Sequence, residues 1–393
     1  MPRFSLVVCH RLVIIVVLTV MDASCGCCYA HLCRCSTFPH ITPYYTVKCN
    51  GHPGVLVALG SLGCGFMCSS FHEIQTLLTL GIDASRIVFA NPWKQESHLR
   101  SATASKVTMM AFTDIAELQK IKRYAPAAKL LLHINGAYMP KKAGKRTAVV
   151  DHVTSPAVGA TLDKVPKLLE EAKRLDLKVV GVCFDVGEIC YEDGQFKRAL
   201  KDAKSVFSLA KATLGNHLRI LDIGGGFSDE SSGERADKTI APEERPLHFD
   251  ELAERLKHLI PKYFSPKVRM FSRPARFFVT SSHLLAVSVI ARRVVTTKAS
   301  ASPLDPIVLE PVLGSPSQKP SVMPESSAAG DSKPVASDGY LYYVNDGLYG
   351  SFNCMLYDQK KVVPLPVNDP ENSNRYACTI FGPTCDGTLR QFV

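Results

Sequence analysis

The sequence has no disulfide framework, no long basic run, no apolar run of membrane-spanning length and no internal repeat. Each absence removes a class of protein. The formal charge is +10 over 393 residues. Without a clustered basic run or an aromatic RNA-binding motif, nucleic-acid binding has no support. An acidic protein partner accounts for the charge equally well. The 14 cysteines are unevenly placed. Among them, Cys25, Cys27, Cys28, Cys33 and Cys35 crowd one segment, while others, such as Cys49, Cys64, Cys68, Cys183, Cys190, Cys354, Cys378 and Cys385, stand alone. Several of the isolated ones lie in apolar runs, where cysteine acts as a small hydrophobe, and a reducing compartment fits them. The cluster with His31 lacks zinc-finger spacing, so no metal is expected. Leu12 to Met21 is apolar, follows Arg3 and Arg11, and precedes Ala23 and Ser24. That is the shape of a signal peptide and is too short for a membrane span. It argues against the cytoplasmic location that the rest of the chain suggests, and no membrane association is expected.

What is present is a globular composition, 46% hydrophobic and 21% charged, in a chain long enough for two domains. Short apolar runs alternate with amphipathic helical stretches from residue 42 onward. Strands are predicted over 43–48, 63–67, 86–90, 107–111, 129–134, 178–184, 219–223 and 268–272. Helices lie between most of them, most clearly over 163–175 and 249–260. About eight β/α units in about 250 residues predict a (β/α)8 TIM-type barrel followed by a truncated all-β domain. The expected division is a signal-like segment 1–40, a barrel 41–295, a Ser/Pro/Ala-rich linker 296–338 and a partial β domain 339–393.

Barrel active sites lie at the C-terminal ends of the strands. Two features there carry chemistry. Lys48 ends a run, Pro43-Tyr44-Tyr45-Thr46-Val47-Lys48, that reads as a buried strand. Desolvation lowers an ammonium pKa, which makes Lys48 a candidate Schiff-base amine; a lysine snorkelling from the strand end is the alternative. Gly224, Gly225 and Gly226 follow the seventh strand, where barrels often bind phosphate; a tight turn is the alternative. Together they suggest pyridoxal phosphate.

Five collinear motifs resemble ornithine decarboxylase and its relatives. They are Tyr45-Thr46-Val47-Lys48-Cys49-Asn50, Ala90-Asn91-Pro92-Trp93-Lys94-Gln95, Leu221-Asp222-Ile223-Gly224-Gly225-Gly226-Phe227, the run from Tyr343 through Cys354, and Gly382-Pro383-Thr384-Cys385-Asp386-Gly387. The family comprises the fold-type III pyridoxal-phosphate decarboxylases of basic amino acids and the antizyme inhibitors, which do not catalyse. The resemblance implies a homodimer with active sites at its interface. It implies that Lys48 forms the Schiff base, that Gly224, Gly225, Gly226 and Arg276 hold phosphate, and that Asp358 contacts the substrate's distal amine. Cys385 would return the proton after decarboxylation, with Asp386 beside it for the substrate amine.

The chain also departs from the family pattern. Arg273 stands where a glutamate pairs with the cofactor's ring nitrogen. Asp185 replaces the histidine stacked on the ring, and Glu188 replaces a phosphate-holding serine. Met67 replaces an acidic residue and His133 an arginine. The chain ends at Val393, before the family's Gly-Ala-Tyr segment. An ion pair of Arg273 with Asp185 or Glu188 would quiet the site without restoring chemistry. The stretch 99–129 carries Arg100, Lys106, Lys120, Lys122, Arg123 and Lys129, and corresponds to the region through which the family binds antizyme. The expectation is therefore a polyamine-related protein with a degraded cofactor site, catalytically weak or inactive and antizyme-inhibitor-like. The alternative is a working decarboxylase converting L-ornithine, or another amino acid, to putrescine or the matching amine and carbon dioxide.

Overall fold

The computed structural model describes residues 40–136, 159–187, 190, 193–227, 247–279, 285–296, 338–353, 355, 378–383 and 391–392. They fall into two compact units, one within 17–284 and one that includes 285–393.

The first unit is a closed barrel of eight parallel strands: β1 Ile41–Thr46, β2 Gly65–Cys68, β3 Ile87–Phe89, β4 Met109–Phe112, β5 Lys129–His133, β6 Lys178–Cys183, β7 Ile220–Asp222 and β8 Arg269–Ser272. Closure comes from β1 pairing with both β2 and β8, with Tyr44 opposite Gly65 and Ile41 opposite Met270. The period of two along each strand builds two separate cores. Tyr44, Met67, Val88, Ala111, Leu131, Cys183, Ile220 and Phe271 fill the barrel interior. Their neighbours, such as Tyr45, Phe66, Phe89, Met110, Leu132, Val182 and Leu221, face the helices. Tyr44 and Phe271 lie with ring centroids 4.1 Å apart. Gly65 is needed beside them, because a Cβ there would meet the Tyr44 ring at 2.5 Å.

The helices are α1 Pro53–Ser61, α2 Phe71–Thr79, α3 Glu96–Ala104, α4 Ile115–Tyr124, α5 Val165–Arg174, α6 Gly194–Leu214, α7 Phe249–Leu259 and α8 Ala275–Val279. Local sequence accounts for their faces and ends. In α5, Val165, Leu168, Leu169 and Ala172 make one buried stripe at helical spacing. The N-terminus of α4 is capped by Asp114, whose carboxylate accepts from the Glu117 N–H at 2.8 Å. At α7, Glu251 accepts from the His248 N–H at 3.1 Å while His248 accepts from the Asp250 N–H. Among the described residues no helix is long and apolar enough to cross a membrane.

The second unit holds a four-stranded sheet in the order β12-β11-β10-β9, with β9 Val289–Thr296, β10 Asp338–Val344, β11 Cys378–Phe381 and β12 Gln391–Phe392. β10 is antiparallel to β9 and parallel to β11. Tyr343 pairs with Phe381 across the sheet, their rings stacked at 5.3 Å. All of β9 but Thr296 falls in the stretch 41–295 that the sequence assigns to the barrel, yet its hydrogen bonds go to β10. Its alternation of residues is equally compatible with either sheet, and only the pairing partner decides. The Ser/Pro/Ala-rich segment and the signal-like N-terminus lie outside the described residues.

Candidate active site

Three strand ends converge at the C-terminal mouth of the barrel. β8 runs into Arg273, β7 ends in Asp222, and β6 leads into Phe184 and Asp185. The Arg273 guanidinium ties them together. Its Nε lies 3.1 Å from Asp222 Oδ2, its Nη1 3.2 Å from Asp185 Oδ2, and its Nη2 donates to the Phe184 carbonyl at 2.6 Å. Its backbone N–H donates to Gly224 O at 2.7 Å. Asp222 Oδ1 accepts from the Gly224 N–H at 2.9 Å. These two contacts pin the turn after β7 against the start of the β8 loop. The Asp222 side chain is 1% exposed, that of Arg273 16% and that of Asp185 35%.

The electrostatics follow from this burial. Burial pushes the Asp222 carboxyl up, and the Arg273 charge opposes it. Burial also works against the Arg273 cation, but Asp222 and then Asp185 more than restore it, so its pKa is raised. His133, at the end of β5, is held neutral: burial, then the Arg273 charge, brings its imidazole down to about 4. Its Nε2 is buried and makes no hydrogen bond among the described residues. Cys183, inside the barrel, has its thiol pushed well up by burial and then by Asp222, which leaves it unreactive. The space these groups leave is small, a cavity of about 30 Å³ lined by Met67, His133, Cys183, Asp222, Arg273 and small apolar neighbours.

Gly224 to Gly226, where the sequence places a phosphate cradle, form a tight turn. Gly224 and Gly226 have φ of 76° and 96°. Both are closed in by the segment after β6: a Cβ at Gly224 would lie 2.5 Å from Phe184 O, and one at Gly226 2.9 Å from Val186 Cγ2. Arg276, in the first turn of α8, is half-buried.

Lys48 corrects the sequence reading. Ladder pairing stops at Thr46 opposite Met67, and Val47–Cys49 turns into a 3-10 helix. Lys48 is therefore exposed, and the burial on which its activation rested is absent. Met67, His133 and Arg273 line one cavity, and Asp185 joins them through its ion pair with Arg273. Glu188, Asp358, Cys385 and Asp386 lie outside the described residues. Among the described residues no cluster of His, Cys, Asp and Glu could hold a metal ion.

The basic stretch 99–129 divides in two. Arg100, Lys106, Arg123 and Lys129 are exposed, and Lys122 is partly so. Arg100 and Arg123 both lie over the Tyr124 ring, at 4.9 and 6.0 Å. Lys120 is turned inward instead. Its Nζ lies 2.8 Å from Glu117 Oε2, and Glu117 in turn pairs with Lys94 Nζ at 3.1 Å. Lys94 and Glu117 are fully buried side chains, and burial brings the Lys94 ammonium down to about 8 against the pull of Glu117. Sequence reasoning missed this pair and missed Asp222 as the partner of Arg273. The signals were present, as a lysine inside the Asn91-Pro92-Trp93-Lys94 motif and an aspartate just before the glycines.

Comparison with known proteins supplies the frame for this geometry. Residues 31–280 match the family described as "Pyridoxal-dependent decarboxylase, pyridoxal binding domain". Ornithine decarboxylase of Mus musculus is 36% identical over 92% of this chain and 68% of its own length. Antizyme inhibitor 2 of Xenopus laevis is 34% identical over 91% of this chain and 68% of its own length. The structure of Paramecium bursaria Chlorella virus arginine decarboxylase bound to agmatine superposes with a TM-score of 0.70 at 25% identity, covering 94% of this chain and 83% of that one. The chain belongs to the ornithine decarboxylase and antizyme inhibitor family of fold-type III pyridoxal-phosphate decarboxylases.

Proposed function

We propose that this chain is an ornithine-decarboxylase-like protein of polyamine metabolism whose barrel mouth no longer supports decarboxylation, and that it acts by binding antizyme. The observation that carries the first part is the Arg273 guanidinium bridging Asp222 and Asp185. Pyridoxal phosphate, when bound in this family, acts as the electron sink for decarboxylation. The residues at this mouth do not fit its ring. Where the family's carboxylate would pair with a protonated ring nitrogen, the chain offers a cation already paired to two aspartates. A guanidinium there disfavours a protonated ring nitrogen by about 1.4 kcal/mol for each unit of pKa it moves.

The second part rests on the exposed cations Arg100, Lys106, Arg123 and Lys129, a surface suited to steering an acidic protein. Homodimer formation and cytoplasmic residence belong to the same proposal, by likeness to the family. A second reading, an active decarboxylase acting on L-ornithine or another amino acid, is favoured by the retained Lys48 and by the Gly224–Gly226 turn, in which Gly224 and Gly226 have φ of 76° and 96°.

The deciding experiment incubates the full chain with pyridoxal phosphate, traps with borohydride, and measures carbon dioxide release from ornithine. Antizyme is titrated in parallel. The proposal expects no cofactor fixed on Lys48, no carbon dioxide, and saturable antizyme binding weakened by Arg100→Glu and Arg123→Glu. Stoichiometric cofactor on Lys48 with turnover would establish the second reading, and absence of antizyme binding would remove the regulatory part.

A further inference from the structure

Away from the barrel mouth, a cleft of about 400 Å³ opens between the first turns of α4 and α5. That volume is in the range of small-molecule sites. Its walls are apolar, formed by Ile115, Ala116, Leu168 and the indole of Trp93. Trp93 is 50% exposed, unusual for the largest side chain, and Ile115 beside it is exposed too. The indole is not loose. Its Nε1–H donates to Asp114 Oδ2, while Asp114 Oδ1 accepts from the Glu117 N–H at 2.8 Å. Asp114 is thereby committed on both oxygens, and Trp93 is a fixed aromatic wall.

Two polar features of the cleft lack a hydrogen bond or salt bridge among the described residues. Thr113 lines it, is 7% exposed, and its Oγ1 has no hydrogen-bond partner among the described residues. Buried hydroxyls in folded proteins almost always have one. At the rim stand Lys164 and Lys167, both exposed. Among the described residues neither makes a salt bridge. Asp163 lies near them, its carboxyl held low first by the Thr161 hydroxyl and then by the two lysines. A cationic ligand would meet both lysines and find Asp114 already engaged. An anionic one would find two available ammonium groups and a buried hydroxyl.

We propose that this cleft binds a small aromatic anion. Its ring lies against Trp93, Ile115 and Leu168, its anionic group against Lys164 and Lys167, and the Thr113 hydroxyl donates to it from within. The proposal is independent of whether the barrel mouth catalyses.

Trp93 is the only tryptophan in the chain, so indole emission reports on this cleft. The full chain is titrated with anilinonaphthalenesulfonate, reading energy transfer from Trp93, and the probe is displaced with 2-naphthoate or its neutral amide. Saturable transfer is expected, with naphthoate binding about tenfold more tightly than naphthamide. The variant Lys164→Gln/Lys167→Gln changes only exposed side chains; it should weaken naphthoate about tenfold and leave naphthamide and the far-UV circular dichroism unchanged. Thr113→Val should weaken naphthoate a few-fold. Absence of transfer, equal affinity for naphthoate and naphthamide, or full naphthoate affinity in the double lysine variant would each overturn the proposal.

Discussion

Replacing Arg273 with methionine isolates what holds the barrel mouth together. Methionine keeps much of the aliphatic stem and removes the guanidinium. Asp222, 1% exposed, then loses the cation 3.1 Å away and keeps only the Gly224 N–H. Breaking a buried ion pair by removing one partner costs about 3–5 kcal/mol, because the other charge is left unpaired. Asp185 is more exposed and adds little. The expected loss in urea unfolding of the full chain at neutral pH, followed by far-UV circular dichroism, is therefore about 3–5 kcal/mol. The pH dependence has a definite sign. Burial raises the Asp222 carboxyl and Arg273 opposes that rise, so the variant raises it further. A carboxyl raised in the folded state binds more protons there than in the unfolded chain. The penalty should therefore shrink as pH falls through the folded-state value. Adding Asp222→Asn removes the stranded charge and should recover most of the loss. A cost under about 1 kcal/mol for Arg273→Met, with no recovery in the double variant, would refute the reasoning.

Three further outcomes follow from other residues. Glu117→Gln strands the fully buried Lys94 ammonium and should cost about 3–5 kcal/mol in the same unfolding assay, more than Glu117→Gln combined with Lys94→Met. His133 has its folded-state pKa brought down to about 4. The unfolded chain therefore takes up that proton first, and stability should fall as pH drops from about 6.5 to about 4, by up to about 3 kcal/mol; His133→Phe should show a shallower slope over the same window. Gly224→Ala places a Cβ 2.5 Å from Phe184 O at a φ of 76° and should cost about 2–4 kcal/mol, read by urea unfolding.

The barrel was legible because it is written in periodicity. All eight predicted strands are present with ends moved by a residue or two, as are the helices over 163–175 and 249–260. Local spacing decides which face of a strand or helix is apolar, and a run of β/α units has few ways to bury those faces. The placement of β9 was not legible, because hydrogen-bond partners far apart in sequence leave no local mark. At the candidate site, the motifs singled out Lys48, Gly224 and Arg273, but not their surroundings.

The sequence by itself determined the family and the alternation that makes the barrel. Only the tertiary structure decided what particular residues do to one another. It set Lys48 in water after the ladder ends at Thr46. It joined Arg273 to Asp222, 51 residues away in sequence, and buried Lys94 against Glu117. Burial and distance set the strength of a charge's interactions, and both are properties of the closed fold.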